Sequence, residues 1–105
     1  MVRVHFVQLT EIVEPALPDE GGFVSYCPEL DVASQGESIE EALDNLRDAL
    51  ETYLATLEEL GDIDRVLAER KVKLYAKRPS GRAEVAVKTG EVVSTLVASI
   101  GGTRT

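Results

Sequence analysis

The chain of 105 residues has one cysteine, one histidine, no tryptophan, two phenylalanines and three tyrosines. A lone thiol can close no internal disulfide, which points to a reducing, cytoplasmic setting. One cysteine and one histidine also fall short of the four ligands of a structural zinc site. No apolar run approaches the roughly 20 residues that cross a bilayer, so no membrane association is expected. The N-terminal MVRVHFVQLTEIVE alternates and carries acids, unlike a secretory leader. The glycines at 21, 22 and 36 do not form a phosphate-cradling pattern.

Basic residues are scarce over most of the length. Residues 1–69 hold seventeen acids and only Arg3, Arg47 and Arg65, a net charge of −14. Residues 70–105 hold the other eight bases against Glu84 and Glu91, a net of +6, within an overall charge of −8. An acidic body repels nucleic acid and attracts a basic partner. The basic tail can fold back on that body, meet a neighbouring protomer or touch a phosphate backbone.

An apolar content of 44% suits one domain with a real core. Residues 2–13 read as a strand, with Val2, Val4 and Phe6 alternating against Arg3 and His5. Two prolines and two glycines make 14–22 a loop. Residues 23–26 and 31–35 read as short strands around a Cys27-Pro28-Glu29-Leu30 turn, completing an antiparallel meander. Ser38-Ile39-Glu40-Glu41 reads as a capping box, with the Ser38 hydroxyl on the amide of Glu41 and the Glu41 carboxylate on the amide of Ser38. Ile39, Ala42, Leu43, Leu46, Ala49, Leu50, Tyr53, Leu54 and Leu57 then form one helical stripe, stopped at Gly61. A short helix is expected over 62–69, strands over 71–77 and 83–88, and a turn over 78–82. Residues 90–100 are ambiguous: Val92, Val93, Leu96, Val97 and Ile100 share a helical face, whereas their β-branched content favours a strand. The spacing is read here as a short helix. The predicted class is α+β with order β-β-β-α-β and a short β/α tail.

Cys27 as a nucleophile would need a base and a cation, yet its near neighbours in sequence are Glu29 and Asp31, and packing is the simpler reading. His5 has no Ser, Cys or Asp tied to it by spacing. Glu29, Asp31 and Glu37 would be the metal-binding set of a nuclease, although nothing in their spacing makes them converge. No catalytic residue, metal or cofactor is therefore expected. Glu40, Asp44, Asp48 and Glu51, on the polar side of the long helix, are the candidate contacts for a basic protein partner. Lys77, Arg78, Arg82 and Lys88 are the candidate nucleic-acid contacts of the tail.

Residues 22–54 resemble the HicB family of type II antitoxins. The shared elements are Gly22-Phe23, Cys27-Pro28-Glu29-Leu30, Ser34-Gln35-Gly36 and Ser38-Ile39-Glu40-Glu41-Ala42, continuing to Leu43, Leu46, Ala49, Leu50 and Tyr53. The resemblance implies a partial ribonuclease-H-like fold without nuclease activity, over residues 1–77. It implies a small basic RNA-cleaving toxin of the HicA type as partner, and assembly into homodimers or tetramers. Residues 78–105 then form a basic extension that serves oligomerisation, completes the sheet or remains of a DNA-binding element. A small DNA-binding regulator is the alternative function.

Overall fold

The computed structural model describes residues 5–79 and 91–101. Four strands and two helices follow in the order β1 (His5–Pro15), β2 (Phe23–Cys27), β3 (Val32–Gly36), α1 (Ile39–Leu60), α2 (Ile63–Glu69) and β4 (Val92–Ile100). All pairings are antiparallel, and the sheet order is β3-β2-β1-β4. The α+β class, the three-strand meander and the single long helix agree with the sequence reading.

Side chains of β1 alternate between the two faces of the sheet. Val7, Leu9, Glu11 and Val13 are buried, so the odd positions face the helices, and Phe6 lies on the opposite face. The core joins Val7 and Leu9 to Cys27, Leu30, Leu46, Leu50, Leu54, Leu67 and Ile100. Leu46 and Leu50 are fully covered, each contributing about 1.5–3 kcal/mol of burial. Every apolar position of the α1 stripe is buried or half-buried.

Both ends of α1 are closed by their own sequence. At the start, Ser38 Oγ accepts from Glu41 N–H at 3.0 Å. The Glu41 carboxylate reaches one residue further back than a capping box requires, accepting from the amide of Glu37 instead of Ser38. At the end, Gly61 adopts φ +75°, and Gly61 and Asp62 donate to the carbonyls of Glu58 and Leu57. That is a Schellman closure, which favours glycine because the left-handed conformation carries no Cβ penalty.

Two expected elements differ. Residues 71–77 do not form a strand; only Tyr75 pairs, exchanging two backbone hydrogen bonds with Phe6 at 2.8 Å each. Their alternation fits a strand, but β2 and β4 already flank β1, leaving only its first residues accessible. Residues 92–100 are a strand and not a helix, paired with β1 from His5↔Ile100 to Val13↔Val92. Nine cross-strand pairs and the β-branched side chains outweigh a helical spacing that is coincidental. The expected strand at 83–88 and turn at 80–82 lie outside the described residues.

Candidate functional site

The stretch from Gly22 to Ala42 is a sheet-to-helix junction held by close backbone approaches and short hydrogen bonds. Gly22 (φ +77°) lies just before β2, whose Phe23 pairs with Gly36; a Cβ on Gly22 would stand 2.8 Å from the Gly36 carbonyl oxygen. A Cβ on Gly36 would stand 2.5 Å from the amide nitrogen of Ala42, so glycine is what lets the first turn of α1 approach β3. Ser25, buried on β2, donates its hydroxyl to the Ala42 carbonyl at 2.8 Å. Between β2 and β3, Asp31 N–H donates to the Cys27 carbonyl at 2.8 Å, with Asp31 itself at φ +58°.

Glu29 completes the edge of β1. That strand has 11 residues and β2 only 5, so the ladder between them covers just Ile12 to Pro15 of β1. Beyond it, the Glu29 carboxylate accepts from Thr10 N–H at 2.9 Å and from Thr10 Oγ1 at 2.7 Å. Tyr75 satisfies Phe6 in the same way further along. A backbone donor left without such a partner costs about 1–3 kcal/mol when buried. Glu29 is thus engaged in the sheet, while Asp31 and Glu37 are exposed. Among the described residues no group of three or more His, Cys, Asp or Glu side chains is placed to hold a metal ion.

Cys27 is fully buried and its thiol donates to Glu29 Oε1 at 3.4 Å. Burial pushes the thiol up from 9.0 to about 12, with the Glu29 carboxylate adding to the effect and backbone amides, first that of Leu30, opposing it. Because the folded value is the higher one, the neutral thiol's contribution to stability is intact below about pH 9. It is lost as the pH climbs from there towards about 12. The native protein is expected to resist iodoacetamide at pH 8 and to be alkylated promptly in denaturant. Native labelling at the unfolded rate would show an accessible thiolate that burial does not allow. His5 is half-buried at the start of β1 opposite Ile100.

The outer side of α1 carries the charge. Glu40, Asp44, Asp48 and Glu51 are all exposed and form one stripe, spaced by 4, 4 and 3 residues over about 16 Å. No salt bridge engages any of the four among the described residues. Arg47, the sole basic residue of α1, forms no salt bridge with them: its guanidinium turns inward to Glu11 and feels only a weaker attraction from Asp44.

That inward contact was not legible as a site. Glu11 is completely buried on β1, and Arg47 grips it with two bonds, Nε to Oε2 at 2.8 Å and Nη2 to Oε1 at 3.0 Å. Ser94, the cross-strand neighbour of Glu11 on β4, donates its hydroxyl to Oε1 at 2.6 Å. The Glu11 hydrogen bonds are the main reason the Arg47 guanidinium is held above its ordinary value, against the opposing effect of burial. The available signal was parity: Glu11 falls in the buried series of Val7, Leu9 and Val13. The group ties β1, β4 and α1 together and positions the helix that displays the acids.

The basic segment lies elsewhere. Arg70, Lys71, Lys73, Lys77 and Arg78 are exposed. Arg78 sits over the Phe6 ring at 5.7 Å and Lys73 over the Tyr75 ring at 5.2 Å, distances at which a cation is attracted to the ring face. Lys77 and Arg78 are thus both open to solvent, whereas Arg82 and Lys88 lie outside the described residues. No described helix is long and apolar enough to cross a membrane. No family model, curated protein or solved structure matches the chain.

Proposed function

We propose that this chain is an antitoxin-like binding protein of the cytoplasm that neutralises a small basic RNA-cleaving toxin of the HicA type by covering it, and that it carries out no catalysis of its own. The observation that carries this reading is the acidic stripe of Glu40, Asp44, Asp48 and Glu51, exposed and without salt bridges among the described residues. Complementary potentials accelerate encounter and select a partner, so an exposed acidic helix face suits a basic protein. The residues of the HicB-like pattern support the same reading, since they build the junction on which α1 stands.

The test is co-purification of the tagged protein from its native host, followed by the variant carrying Glu40→Lys, Asp44→Lys, Asp48→Lys and Glu51→Lys. A small basic protein should elute in stoichiometric amount with the wild type. The four reversals should weaken that complex by roughly a hundredfold or more while leaving the helical circular dichroism unchanged. A clean homo-oligomer with no basic partner would overturn the antitoxin reading. Unchanged binding by the reversed variant would exclude the α1 face.

A further inference from the structure

Residues 70–78 carry Arg70, Lys71, Lys73, Lys77 and Arg78 with no acid among them. All five are exposed, and among the described residues no salt bridge engages any of them. The simplest use of such a run is to neutralise an acidic body. The fold places Lys73 and Arg78 elsewhere.

Phe6 and Tyr75 exchange two backbone hydrogen bonds, and cross-strand partners of this kind project their side chains to the same face of the sheet. That face is the one away from α1, because Val7 and Leu9, on the other side of β1, pack against Leu46 and Leu50. Arg78 lies over the Phe6 ring at 5.7 Å and Lys73 over the Tyr75 ring at 5.2 Å. Two rings and two cations therefore share one corner of the sheet, with the acidic stripe of α1 across it. Along β1, Glu29 is held at Thr10, about 13 Å from Phe6, and the exposed Glu14 stands about 27 Å away. Both distances exceed the roughly 8 Å over which exposed charges act at physiological salt.

We infer that this corner binds single-stranded nucleic acid, with phosphates on Lys73, Lys77 and Arg78 and unpaired bases stacked at Phe6 and Tyr75. Proteins that hold single strands combine cations that follow the backbone with aromatic rings that stack successive bases. An arginine over a ring serves both needs, since its flat guanidinium stacks while its N–H fork holds a phosphate. Gln8, exposed and two residues along β1 on the same face, offers a donor and an acceptor to a base edge.

A duplex suits the corner poorly. The major groove admits a helix or a two-stranded ribbon, and residues 70–78 form neither, touching the sheet only through the Tyr75 bridge. Paired bases also keep their faces within their own stack. An acidic protein surface would meet the cations but would leave the rings without a stacking partner. Nothing on α1 takes part, so this site and the toxin reading stand or fall separately.

Fluorescence anisotropy of the full chain should show micromolar-range binding of labelled oligouridylate or oligothymidylate of about twelve nucleotides. A duplex of the same length should bind at least roughly tenfold more weakly. The tighter of the two single strands identifies RNA or DNA as the ligand. Lys73→Gln with Arg78→Gln should flatten the dependence of log affinity on log salt by about 1.4, the loss of two phosphate contacts. Tyr75→Leu should weaken binding about tenfold and leave that slope unchanged. This split separates stacking from charge, and from unfolding, which would alter both. Absence of single-strand binding overturns the inference, as does a duplex bound equally well. Wild-type affinity in Tyr75→Leu, or a wild-type salt slope in the double variant, overturns it too.

Discussion

Arg47→Ala should lower the stability of the folded chain by about 3–5 kcal/mol, read as a shift of the urea or thermal midpoint. Removing the guanidinium strands a completely buried carboxylate, because the two bonds from Arg47 vanish and only Ser94 still donates to Glu11. Water cannot replace the lost donors without entering beneath α1. The size of the effect reflects the uncompensated charge more than the intrinsic strength of the pair. Accordingly Glu11→Leu combined with Arg47→Met should recover most of the loss, leaving only the Ser94 hydroxyl without its acceptor. If the single substitution costs no more than an exposed pair, about 0–1 kcal/mol, the buried triad contributes little to holding α1 on the sheet.

Gly36→Ala should be nearly as damaging, at about 3 kcal/mol, the upper end for forcing extra atoms into a packed site. The added Cβ would meet backbone, 2.5 Å from Ala42 N and 2.8 Å from the Glu41 carbonyl carbon, so no side-chain rotation relieves it. α1 would have to lift from β3, weakening the hydrogen bond from Ser25 to the Ala42 carbonyl. By contrast, an alanine at Gly61 meets nothing within 4 Å and carries only the cost of its left-handed backbone. Denaturant melts of the two variants side by side test this; equal losses would mean that α1 and β3 shift apart at Gly36 at little cost and that the close approach contributes little.

Much of the architecture was legible because its signals are local. The cap at Ser38, the stripe from Ile39 to Leu57 and the stop at Gly61 each act within a turn or two of helix, where tertiary context has little to add. The Pro28 turn and the two short strands around it were readable for the same reason. The candidate acidic stripe followed directly, since four acids at helical spacing opposite an apolar face can only point outward.

Strand partnership was not legible. Residues 71–77 and 92–100 both carry strand-like composition, and which of them completes the sheet depends on which edge of β1 is vacant. β2 and Glu29 occupy one side, leaving Tyr75 a single bridge, and the other side accepts the whole of β4. Nor could spacing alone pair Glu11 with Arg47, 36 residues apart, or bring Ser94 to them from 83 residues away. By itself, then, the sequence determined α1 with its Ser38 cap and Gly61 stop, the short α2, the tight turn and the separation of acidic and basic zones, because those depend on neighbours along the chain. Only the tertiary structure decided which strand lies at the edge, which acid is buried and why Gly36 has no side chain. Those follow from contacts between segments far apart, where packing and the vacancy of hydrogen-bonding groups outweigh local preference.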